Sequence, residues 1–148
     1  MNPGLVYDLT GEDYAHFLCA GKYDLKLFGL NYRCEKNKSY RVEDLNYPTF
    51  SVLMAANTTG CTEMSFPRKL RNVERKAAAY RVKTEAPDGI TFSVMPNNLY
   101  FSGHNDEQGY EVRFCVEKPH LRGTVADGSI IWMNEEHLVR SPAVFLWQ

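Results

Sequence analysis

No stretch of this chain approaches the roughly 20 consecutive apolar residues that a bilayer-spanning helix requires, so no such helix is expected. Cysteines at metal-ligand spacing are missing as well. Cys19, Cys34, Cys61 and Cys115 stand far apart with no C-x-x-C pair, which removes the usual framework of a structural zinc site. The chain has no G-x-S-x-G elbow, no Walker loop and no dinucleotide fingerprint. Neither sign of charge dominates: 17 Lys and Arg against 18 Asp and Glu leave a net charge of −1. No global basic field therefore draws in a polyanion. The first residues, Met1 to Leu5, show neither the basic start nor the apolar run of a secretory signal, and the chain as given reads as cytoplasmic.

A chain of 148 residues is long enough for one domain, residues 1–148, that buries roughly two thirds of its unfolded surface. At that size no covalent staple is needed, and the four cysteines are expected as free, mostly buried thiols, although disulfides stay formally open. Asn37-Lys38-Ser39 and Asn57-Thr58-Thr59 match the glycosylation acceptor pattern, which arises by chance in most chains this long.

What the sequence has is period-two alternation broken by turn residues, the mark of half-buried antiparallel strands. Tyr80 and Val82 alternate with Arg81 and Lys83; Pro87-Asp88-Gly89 makes a tight turn; Ile90, Phe92 and Val94 then resume the apolar face. Pro96-Asn97-Asn98 leads into Leu99-Tyr100-Phe101, and a polar loop from His104 leads into Tyr110, Val112, Phe114 and Val116. Thr49–Ala55 and Ile130–Met133 read as further strands, and Lys22–Cys34 as one interrupted at Phe28-Gly29. Ala143–Trp147 closes the chain as a strand, with Pro142 at its start because proline cannot sit inside a central one.

Helical signals come from two places. Thr10 and Asp13 form a capping box, Tyr14, Phe17 and Leu18 a stripe, and Gly21 a stop. In Pro67–Ala79, Leu70, Val73 and Ala77 recur at helical spacing. Tyr40–Leu45 supports either a helical turn or a short strand. The fold class expected is α+β: a curved antiparallel sheet or partly open barrel with one or two helices packed on one face.

Three clusters are candidate sites. Arg68, Lys69, Arg71, Arg75 and Lys76 would form a basic helix face, fit for an acidic protein surface or phosphates and also the ordinary look of a solvated face. If the strands pair in order, Arg81, Lys83, Thr91, Ser93, Tyr100, Glu111, Arg113 and Glu117 share one polar face, where Tyr100 and Arg113 would bind. His120, Arg122, Glu136 and His137 supply the acid, base and phosphate-holding groups a small metal-free ribonuclease uses, though Glu136 and His137 would point apart on a strand. The loop from His104 to Glu107 lacks the spaced oxygens of a calcium site, and no metal or cofactor is expected.

Tyr32-Arg33-Cys34, Phe66-Pro67 and Tyr110-Glu111-Val112-Arg113-Phe114 resemble segments of small fungal guanyl-specific ribonucleases and their non-catalytic effector relatives. The equivalent strands here lack the glutamate and the late histidine that family uses, so the resemblance implies a ribonuclease-like fold without the full catalytic set. Together these features lead to a small non-enzymatic binding module acting by protein–protein contact, of the inhibitor, immunity or effector type, with an acidic patch on its partner. The alternative is a nucleic-acid-directed protein, either a ribonuclease-like or an RNA- or nucleotide-binding domain.

Overall fold

A computed structural model describes residues 2–61 and 65–148. The strands are β1 (Leu5–Tyr7), β2 (Phe50–Met54), β3 (Gly60–Cys61), β4 (Phe66–Asn72), β5 (Ala78–Glu85), β6 (Ile90–Met95), β7 (Asn98–Phe101), β8 (Glu107–Val116), β9 (Val125–Met133) and β10 (Leu138–Trp147). One α-helix, α1 (Gly11–Ala20), and two short 3-10 turns, Leu25–Phe28 and Val42–Asp44, complete the regular structure among the described residues.

The strands form two sheets. In the first, β1 pairs with β4 and β4 with β8; β3 extends the β4 edge of β8, and β6 takes its other edge. The second runs β2-β10-β9-β5-β7, antiparallel except where β2 lies parallel to β10. Alternation along each strand turns one face of each sheet inward, and the two inner faces share one core. Phe114 of β8 sits at its centre, with ring centroids 5.4 Å from Phe66, 5.0 Å from Phe92 and 5.1 Å from Phe145. Tyr110 of β8 likewise meets Trp132 of β9 at 5.1 Å. Where Tyr7, Tyr110 and Ser141 meet, their hydroxyls link into a chain across the sandwich. Burial there raises both phenols above the ordinary tyrosine range.

The molecule is thus a two-layer β-sandwich, and the α+β expectation is corrected: the helix packs beside the sandwich and covers neither sheet. Ala15 and Cys19 are its buried residues, in a small cluster with Leu25, while Tyr14 is exposed. The capping box is present, with the Asp13 N–H donating to Thr10 Oγ1 at 3.2 Å and the Thr10 N–H to Asp13 Oδ2 at 2.7 Å. Lys22–Cys34 is no strand. It holds the first 3-10 turn, and Gly29 ends that turn in the left-handed region at φ 69°.

Pro67–Ala79 is no helix either. Phe66, Arg68, Leu70 and Asn72 point inward along β4. β1 pairs only with residues 70–72, so Pro67 lies where that edge is open and its missing N–H breaks no ladder. The same logic admits Pro142 inside β10, because β2 joins that strand only from Ala143 onward. Phe145 and Trp147 are fully buried, which ties the C-terminal strand into the core.

Pro87-Asp88-Gly89 is a turn, with the Ile90 N–H donating to Pro87 O at 3.2 Å, but it joins strands of different sheets. The expected polar face is therefore split. Arg81, Lys83 and Tyr100 lie on the second sheet and Thr91, Ser93, Glu111 and Arg113 on the first. The cysteines are not free. Cys19–Cys34 pins α1 to the following loop, and Cys61–Cys115 joins β3 to β8 at directly opposed positions.

Candidate functional site

The basic run does not make one surface. Along β4, Lys69 and Arg71 face solvent while Arg68, 6% exposed, faces in. Its guanidinium donates to the carbonyls of Tyr47 (2.8 Å), Glu43 (2.7 Å) and Pro67 (2.7 Å), and lies 4.5 Å from the Phe50 ring centroid. Burial lowers its pKa from the ordinary arginine value. The outward cations have partners: Lys69 with Glu107 at 3.1 Å, Arg71 with Asp8 at 3.1 Å, and Lys76 with Glu136 at 2.7 Å. Arg75 is exposed in the turn after β4, Arg113 on the outer face of β8, and Tyr100 on the other sheet at 70% exposure.

The acid–base candidates do not converge. His120 stacks on Trp147 with centroids 4.1 Å apart, beside exposed Arg122, at the end where β10 finishes. Glu136 and His137 occupy the turn between β9 and β10, at the opposite end of that hairpin. Nine residues of strand separate the two ends, roughly 30 Å at about 3.3 Å per residue. One small substrate cannot touch both. His137 is instead bonded to Glu74, and that carboxylate also accepts from Asn2 at 2.7 Å. Ligand atoms of Glu74, Glu136 and His137 lie within 4.8 Å of one another, but the Lys76 ammonium already occupies the cation's place beside Glu136. In the 104–107 loop, the Asp106 carboxylate accepts from the Ser102 N–H at 2.8 Å and closes the loop.

The feature the sequence did not announce is apolar. A cleft of about 370 Å³ opens at the edge of the sandwich, between β2 and β4, lined by Phe17, Val42, Leu45, Tyr47, Leu53 and Phe66 among others. Its rim is solvent-exposed: Leu53 60%, Tyr47 49%, Val42 46%. The wall formed by residues 42–49 has little regular structure and is held by side chains of its neighbours. Arg68 ties its carbonyls from below, and Asn46 bonds β4 as a peptide group would, donating to Lys69 O at 2.8 Å and accepting from Lys69 N at 2.7 Å. Beside the cleft, Leu53 is opposite Leu146 and Leu146 opposite Val125, a row of apolar side chains on the outer face of β2, β10 and β9. The available signal was Leu53 itself, which stands out of phase with Phe50, Val52 and Met54 on a strand whose outer face should be polar.

The sequence matches the fibronectin type-III domain over residues 44–145. The chain belongs to that family. It is 40% identical over 151 residues to subtilisin-like protease SBT1.7 of Arabidopsis thaliana, covering 99% of this chain and 19% of that protein. It is 38% identical over 152 residues to subtilisin-like protease SBT3 of Solanum lycopersicum, covering 97% of this chain and 19% of that protein. The fibronectin type-III chain thus spans about a fifth of the length of the curated relatives it matches. Among solved structures, the FixG-related protein from Vibrio parahaemolyticus superposes with a TM-score of 0.47 at 8% identity, over 57% of this chain and 77% of that one.

These matches correct two expectations. A fibronectin type-III sandwich replaces the ribonuclease-like fold, and the RNA-binding and nuclease readings fall with it. The cytoplasmic reading falls too. The relatives are plant subtilisin-like proteases, and all four cysteines form disulfides, which persist in oxidising compartments. As a fibronectin type-III domain the chain is a non-catalytic module.

Proposed function

We propose that this fibronectin type-III module acts by protein–protein contact, and that its partner is the remainder of a subtilisin-like protease in which it is one segment. The observation that carries this reading is the continuous apolar surface of the cleft rim and the Leu53–Leu146–Val125 row. Soluble proteins leave such contiguous apolar surface open mainly where another surface covers it. The alignment to about a fifth of each relative supplies the candidate surface, namely the rest of the same polypeptide. Charge plays the smaller part. Of the expected basic set, Arg75 and Arg113 are the exposed arginines that form no ion pair among the described residues, Arg68 being buried on backbone carbonyls, and an acidic patch on the partner would be met by these two.

The test is Leu53→Asp and Val42→Asp in the longer protein, with the module also supplied separately to the protease portion. Both side chains are exposed, so the sandwich should keep its melting midpoint. Association measured by calorimetry should weaken by at least about tenfold, or about 1.4 kcal/mol, for each. Undiminished association of both variants would refute the reading.

A further inference from the structure

The two acceptor tripeptides acquire a meaning that neither had in the sequence. We infer that Asn37 and Asn57 are N-glycosylation sites. In the fold, Asn37, Lys38 and Ser39 are all exposed, in the loop between Cys34 and Tyr40. Asn57, Thr58 and Thr59 are all exposed in the turn that leaves β2. That turn is held by other atoms: the Asn57 N–H donates to His120 O at 2.8 Å, and Thr58 Oγ1 donates to Ala55 O at 2.8 Å. The Asn57 backbone adopts the left-handed region, φ 57°, which asparagine tolerates better than most residues. Neither asparagine carboxamide is used by the fold among the described residues, so neither is withheld from modification.

Compartment is the second, independent observation. Two formed disulfides place the chain in an oxidising lumen, where the acceptor pattern is read by a transferase. There the co-substrate is an oligosaccharide carried on a lipid diphosphate. The asparagine Nδ2 attacks the anomeric carbon, the C–N bond forms, and the C–O bond to phosphate breaks. The lipid diphosphate leaves with the electron pair, and the amide proton passes to base. No oxidant or reductant takes part.

Placement agrees with the rest of the surface. Neither asparagine lines the apolar cleft, so a glycan at each leaves the cleft open while adding polar bulk elsewhere. Free thiols, or burial of Asn37 and Asn57, would have argued the opposite, and the described residues show neither.

The experiment is secretion of the chain from a plant cell, followed by glycopeptide mass spectrometry and disulfide mapping on the same sample. Ser39→Ala and Thr59→Ala keep both asparagines but destroy the acceptor patterns. The wild-type chain is expected to carry two glycans released by a glycan amidase, which leaves aspartate at 37 and 57. Each variant should lose one glycan and the double variant both, with the disulfides unchanged. An unmodified Asn37 or Asn57 peptide from protein with both disulfides formed overturns the assignment of that site. Secreted protein without the disulfides overturns the compartment argument and the inference with it.

Discussion

Arg68→Met tests whether a residue that looked like a ligand contact is instead part of the frame. The substitution keeps most of the side chain's length and removes its donors. Three carbonyls, of Glu43, Tyr47 and Pro67, then lose bonds of 2.7–2.8 Å. An orphaned, partly buried acceptor costs about 1 kcal/mol at the low end of its range. Losing the cation over the Phe50 ring adds about 1 kcal/mol. Against this, a desolvated guanidinium no longer has to be kept charged, which returns part of the loss. The net destabilisation should be about 3 kcal/mol in urea unfolding followed by circular dichroism. Lys69→Met is the internal control. Lys69, next to Arg68 in sequence, faces water and pairs with Glu107 across a half-exposed surface, so the change should stay within about 0.5 kcal/mol. Equal effects at the two positions, or a loss under about 0.5 kcal/mol at Arg68, would refute the buried-frame assignment.

Other consequences are as direct. Gly89→Val puts a β-branched residue at φ 76° with its Cβ 2.9 Å from Lys118 Cβ; unfolding free energy should fall by about 1–3 kcal/mol, and an unchanged midpoint would refute the turn's geometry. Cys61→Ser with Cys115→Ser opens a loop spanning 54 residues; on loop-entropy grounds the loss should be about 4 kcal/mol, read as a lower thermal midpoint, and a smaller change than for the Cys19–Cys34 pair, which spans 15, would contradict the argument. Asp106 is held below the usual carboxylate range, chiefly by the Ser102 N–H. A lowered folded-state pKa stabilises above the unfolded value of about 3.9 and is lost as pH falls through the folded one. Asp106→Asn should therefore flatten the stability curve below about pH 4 and lower it at neutral pH. An acid limb identical to wild type would count against that account.

What could be read from the sequence was local. Thr10, Asp13 and Gly21 set the bounds of α1, because a cap is satisfied within a few residues. Strands β5 to β8 were visible in their alternation, because a strand's burial pattern repeats every second residue whatever it pairs with, while β9 and β10 were visible only over the apolar runs Ile130–Met133 and Ala143–Trp147. The same property hides partner and layer. Nothing in Tyr80–Lys83 or Ile90–Val94 says that one belongs to the second sheet and the other to the first, so an ordered hairpin and a crossover between layers read alike. β4 was misread for a related reason. Its inward positions include Arg68 and Asn72, polar residues that break the apolar alternation, leaving Leu70, Val73 and Ala77 to suggest a helix. Arg68 is acceptable inside only because carbonyls from residues 43–49 come to it, and Asn72 because those of Lys76 and Gly103 do. The cleft depends on the same long-range arrangement, since its walls are far apart in the chain. Local propensity and periodicity thus marked α1 and the better part of the later strands, but not β4 or the 22–34 segment. The layering, the disulfide pairing and the apolar docking face were decided by contacts between distant segments, which no short window of sequence contains.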